Sequence, residues 1–138
     1  MKTVKVIVVD DEFGIREGIR RVLSKVNMTV PGYLETVSFD VSVFETGEDG
    51  IAALSEKDFD ICLLDNKLPG ICGTEVLEFI KTADIHKPLT IMITAFPSVE
   101  TADIAMENGA FGFLGKPFRP DELKNVILTA LIKLLGGK

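Results

Sequence analysis

Five side chains in this sequence have the types and spacing to work on a phosphoryl group. They are Asp10 and Asp11, which end the apolar run VIVV, Asp65 at the end of DICLLD, Thr94 in MIT, and Lys116 in FLGK. Two carboxylates held ~4 Å apart at an effective dielectric of about 20 repel by roughly 4 kcal/mol, so an adjacent pair behind a buried strand needs an offset. A hard divalent cation supplies one. Mg²⁺ takes one or two carboxylates, several waters and a phosphate oxygen. Lysine is a point-charge partner for phosphate oxygens, and a threonine hydroxyl can donate to another. A carboxylate facing these groups can attack phosphorus and become an acyl phosphate, and Asp65, fixed by the rigid run before it, is the candidate nucleophile. Taken singly, each aspartate could instead cap the helix that follows.

The elements that would position these residues are legible from periodicity. Apolar runs over Val4–Val9, Val41–Phe44, Ile61–Leu64, Leu89–Ile93 and Phe111–Leu114 have the composition of strands buried on both faces. Between them lie segments of helical period. The first places Ile15, Ile19, Val22, Leu23 and Val26 along one stripe. Others are expected over Asp49–Ser55, Gly73–Thr82, Val99–Asn108 and Pro120–Leu135, with Asn108-Gly109 as a stop and Pro120 in a favoured first turn. Five alternations of strand and helix predict an α/β fold, a doubly wound five-stranded parallel sheet with helices on both faces. In such sheets chemistry collects at the carboxyl ends of the strands, where all five candidate residues fall.

The 138 residues suit one domain spanning 1–138. A net charge of −6 argues against direct nucleic-acid binding, which rests on clustered Lys and Arg, and favours a cation site. No apolar run is long enough to cross a bilayer, and acids follow the first one where a signal peptide needs small residues, so a cytoplasmic protein without membrane attachment is expected. Cys62 and Cys72 lack zinc-ligand spacing and read as buried, reduced thiols, and the single histidine, His86, as a surface residue. The connection NMTVPGYLETVSFD, Asn27–Asp40, exceeds the roughly 2 to 6 residues usual between helix and strand. It reads as a surface excursion that could lengthen either the helix or the edge strand, or as a partner-contact loop, with a turn at Pro31-Gly32.

VVDDE, LLDNKLPGICG, MITAF and FLGKPF, in this order, resemble the receiver domain of bacterial two-component response regulators over essentially the whole chain. The resemblance implies a flavodoxin-like sheet of order 2-1-3-4-5. It implies that Asp65 is the phosphoacceptor, served by a sensor histidine kinase, a phosphotransfer protein or a small phosphodonor. It implies Mg²⁺ held by Asp10, Asp11, Asp65 and the backbone carbonyl of Lys67, with Thr94 and Lys116 turning to the phosphoryl group. Phe113 would follow Thr94 as a switch aromatic, and the Lys116-Pro117 bond would be cis. Output would pass through the face of the fourth helix, fifth strand and fifth helix, also the surface for a homodimer. The domain would be no enzyme beyond promoting its own phosphorylation and dephosphorylation. Lys67 and Ala95 stand where side chains tune water access to the acyl phosphate, and Gly112 replaces a frequent acid.

Two other function classes compete. Haloacid-dehalogenase-like phosphatases also gather Asp, Thr, Lys and further acids around Mg²⁺, but their nucleophile follows the first strand as Asp-x-Asp, whereas here the acid pair comes first. A receiver-like interaction module that is never phosphorylated would not need all five residues.

Overall fold

In the computed structural model, which describes residues 1–95 and 99–136 with side chains except at 99–101, strand and helix alternate as expected. The elements are β1 (Lys2–Val9), α1 (Phe13–Ser24), β2 (Met28–Thr29), β3 (Thr36–Phe44), α2 (Gly47–Glu56) and β4 (Ile61–Asp65). They continue with α3 (Gly73–Thr82), β5 (Leu89–Thr94), α4 (Val99–Glu107), β6 (Gly112–Gly115) and α5 (Pro120–Leu135). The loop between β5 and α4, expected to respond to phosphorylation, has Phe96, Pro97 and Ser98 outside the described residues.

The sheet runs β2-β3-β1-β4-β5-β6. Five of these strands are parallel and keep the order expected for five strands, but the sheet has six, because β2 pairs antiparallel with the start of β3. β1 shows why both faces fill. Side chains alternate along a strand, so Val4, Val6 and Val8 join Ile19 and Leu23 of α1 and Ile127 and Leu131 of α5, while Ile7 and Val9 join Leu54 of α2 and Val76 and Leu77 of α3.

The Asn27–Asp40 excursion is the source of the sixth strand. It carries β3 back to Thr36, turns through Gly32 at φ 82°, and buries Met28 and Val30 in the core beneath α1 and α5. β2 meets β3 only at Thr36 and Val37. From Ser38 to Phe44 the outer edge of β3 has no strand partner among the described residues.

Of the two thiols, Cys62 is buried as expected, whereas Cys72 is only half-buried at the start of α3. Burial pushes the Cys62 thiol up to about 12, weakly opposed by its cross-strand neighbour Thr90. The Thr90 hydroxyl is itself buried without a properly formed hydrogen bond, since a thiol is a poor partner. Thr90→Val therefore removes an unsatisfied group, and we expect a gain of about 1 kcal/mol. The check is the urea midpoint, which should rise while the slope stays constant.

Candidate functional site

β1 stops where the apolar run meets charge, and the turn that follows is built by Asp10 itself. Its Oδ1 accepts a hydrogen bond from the Glu12 N–H at 2.8 Å. The Arg16 guanidinium, one turn into α1, donates to the Asp10 carbonyl at 2.9 Å and holds the same loop from the other side. Asp65 repeats the device at the end of β4, its Oδ1 accepting from the Lys67 N–H at 3.2 Å. In both aspartates one oxygen closes an Asx turn and the other is left for the site. Neither aspartate caps the helix that follows, since Glu12 stands at the N-cap of α1 and Cys72 at that of α3.

Neighbouring strands supply the rest. Asp65 lies in register with Ile93, one residue before Thr94, and Thr94 with Gly115, one before Lys116. The Lys116 N–H donates to the Thr94 carbonyl at 2.7 Å, which ties the ends of β5 and β6 together. The Lys116-Pro117 bond is cis, as the resemblance implied. Asp11, Glu12, Asp65, Lys67, Thr94, Ala95 and Lys116 line one open pocket of ≈ 240 Å³. Asp10 lies beneath it, fully buried.

The Lys116 ammonium is the centre of charge. It lies 2.9 Å from Asp10 Oδ2 and 3.4 Å from Asp65 Oδ2, and it donates to Glu12 Oε1. Burial works against its charge, but Glu12, Asp10 and Asp65 outweigh that and hold its pKa above the usual lysine value. Burial pushes Asp65 up to about 6, helped by the Asp10 charge and opposed by the Lys67 N–H and Lys116. Burial raises Asp10 as well, against the Glu12 N–H and Lys116.

Asp10, Asp11, Glu12 and Asp65 each bring a carboxylate oxygen within 4.8 Å of the others. Asp10 Oδ2 is buried and lacks a hydrogen bond, the nearby ammonium lying off the direction one requires. An all-oxygen donor set with a buried, under-satisfied carboxylate fits a hard divalent cation.

All five residues singled out in the sequence come together here. Lys67 reaches the site through its N–H and lines the pocket with an exposed side chain. Phe113, on β6, is half-buried against the core that contains Met92 and Leu64. Glu12 was missed. An acid at a helix start reads as ordinary, and its role depends on an amine 104 positions away. The only signal was a third consecutive acid, DDE.

The sequence pattern described as the response regulator receiver domain matches residues 6–128. The regulatory protein LuxO of Vibrio cholerae is 36% identical over 101 residues, covering 73% of this chain and 22% of that protein. The response regulator protein PilR of Pseudomonas aeruginosa is 31% identical over 131 residues, covering 95% of this chain and 27% of that protein. This chain therefore spans about a quarter of the curated relatives it matches. Among solved structures, the signal receiver domain of a putative LuxO repressor protein from Vibrio parahaemolyticus superposes with a TM-score of 0.82 at 27% identity, covering 96% of this chain and 92% of that one. Neither the phosphatase nor the unphosphorylated module is favoured by these matches. The chain belongs to the response regulator receiver domains, the phosphorylation-dependent switches of two-component signalling.

Proposed function

We propose that Asp65 is the phosphoacceptor of this receiver and that residues 1–138 act as one switch. The observation that carries the proposal is the convergence of four strand ends on one pocket, with the Lys116 ammonium 3.4 Å from Asp65 Oδ2. Asp65 attacks phosphorus, a carboxylate–phosphorus bond forms, and the bond from phosphorus to the donor breaks. The donor is a histidine kinase's or phosphotransfer protein's phosphohistidine, whose imidazole leaves with a proton, or a small acyl phosphate. Lys116 and the Thr94 hydroxyl pair with the phosphoryl oxygens, where positioned charge does most of the catalytic work. Asp10, Asp11, Asp65 and the Lys67 carbonyl would hold Mg²⁺, which when bound neutralises charge on the phosphoryl oxygens.

Transfer leaves about −1.5 to −2 charges at Asp65 in place of its single carboxylate charge, and Thr94 and Lys116 turn toward them, with Phe113 following. The change reaches the face of α4, β6 and α5. α4 buries only Ala105 among its described side chains and exposes Ile104 and Met106, which suits it to a homodimer or output contact. No helix of the described residues is long and apolar enough to cross a membrane, in keeping with a cytoplasmic receiver.

Incubation with acetyl phosphate and Mg²⁺ tests the assignment. We expect one acid-labile phosphoryl group on the peptide containing Asp65, none in EDTA, and no sustained hydrolysis of a phosphomonoester. Label on another residue would overturn the phosphoacceptor role, and phosphomonoester turnover would restore the phosphatase.

A further inference from the structure

Three carboxylates crowd one ammonium at this site. In the structure the ammonium donates hydrogen bonds to Glu12 Oε1 and to Asp65 Oδ2 at 3.4 Å, and forms an ion pair with Asp10 Oδ2 at 2.9 Å without a directed hydrogen bond. For Lys116 to turn to a phosphoryl oxygen arriving on Asp65, one of these contacts must loosen. The three are not equally dispensable. Asp10 is fully buried, and withdrawing the ammonium would strand a charge out of water. Asp65 is the residue being modified. The Glu12 side chain is 59% exposed, so water can take over its carboxylate at little cost.

We propose that Glu12 is a latch on Lys116, holding the amine in the unphosphorylated protein and slowing transfer to Asp65 because its contact must break first. The latch rests on Asp65 being the phosphoacceptor and deepens that assignment. Glu12 is a positioning residue here, acting on phosphorus only through Lys116. It belongs to the same acidic cluster as Asp10, Asp11 and Asp65, but among the carboxylates that meet the ammonium it alone is mostly in solvent.

A carboxylate at this place could also slow transfer merely by repelling an anionic donor. Glu12→Asp separates the two explanations, since it keeps the charge and shortens the side chain by one methylene, out of reach of Lys116. The latch predicts that Glu12→Ala and Glu12→Asp both accept phosphoryl from acetyl phosphate about two- to fivefold faster than the natural protein, the range of one exposed ion pair. A second readout uses neither donor nor Mg²⁺. Under native conditions the Lys116 amine should react faster with an acylating reagent in both variants, measured by peptide mass, while urea midpoints confirm that the fold is intact. Glu12→Asp behaving like the natural protein would overturn the latch in favour of charge repulsion. Slower labelling of either variant would overturn it too, because Glu12 would then assist transfer. If the natural protein takes no label at Asp65, the phosphoacceptor role fails by itself, and the acylation comparison still decides whether Glu12 holds the amine.

Discussion

Asp65→Asn is expected to take no phosphoryl label at any donor concentration and, in chelator at about pH 7.5, to be more stable than the natural protein by about 2 kcal/mol. The first result follows from removing the nucleophile. The second follows from the Asp65 carboxyl being pushed from 3.8 to about 6 by burial and by Asp10. This is the reverse of the usual aspartate, whose folded pKa is depressed. Below the unfolded value of 3.8 both states are protonated and the group contributes nothing. Between 3.8 and about 6 the folded state binds more protons than the unfolded one, so stability falls as pH rises. Above that window the full cost of a buried carboxylate is present. A shift of about two units, already net of the ion pair with Lys116, corresponds to roughly 3 kcal/mol, and water in the open pocket reduces it. The gain from Asp65→Asn should therefore be absent near the unfolded pKa and complete by neutrality. Urea unfolding at a series of pH values reads it directly. Added Mg²⁺ should reverse the order, since a ligand stabilises only the protein that binds it.

Gly73→Ala should lower stability by about 3 kcal/mol and the thermal midpoint by roughly 10 °C, with labelling of Asp65 impaired in the fraction that folds. Gly73 opens α3, and inside a helix alanine normally gains about 1 kcal/mol over glycine. Here a Cβ would lie 2.2 Å from the Asp65 carbonyl oxygen and 2.9 Å from the Asn66 Cα. Those are backbone atoms of the loop that aims the nucleophile, so no rotamer change relieves the overlap. Gly18 in α1 is the control. A Cβ there meets nothing within 4 Å, and Gly18→Ala should raise stability by about 1 kcal/mol. Thermal melts of both variants check the opposite signs. Gly73→Ala melting at or above the natural protein would show that the loop behind Asp65 yields freely.

What the sequence made legible tracks how local each determinant is. Runs such as Val6–Val9 and Ile61–Leu64 are apolar on both faces, and only a covered parallel sheet accommodates that, so the strands and the site at their ends could be read, while their order came from the family resemblance. Boundaries were less legible. α2 begins at Gly47, not Asp49, because Thr46 caps it by accepting from the Asp49 N–H at 3.1 Å, and a glycine at the first position hid the start. α1 ends at Ser24, leaving Val26 beyond it although it continues the stripe. β6 is Gly112–Gly115, one residue later than its apolar run, because glycines at both ends carry no hydrophobic signal. The two-residue β2 has no periodicity to read, and it exists only because Thr36 and Val37 lie opposite Met28 and Thr29. Glu12 was hidden for the same reason on a larger scale, since its partner arrives only when β6 docks beside β5.

The open margin of β3 has its own consequence. Ser38 to Phe44 offers a row of backbone amides and carbonyls to any passing chain, and its sequence, SFDVSVF, favours cross-β stacking. Asp40, exposed at the middle of that row, is the gatekeeper, for two copies meeting there in register must oppose carboxylates or desolvate them. Neutralising that single charge would convert the segment into an uninterrupted adhesive ribbon, and the colloidal fate of concentrated protein would then turn on a residue remote from the chemistry.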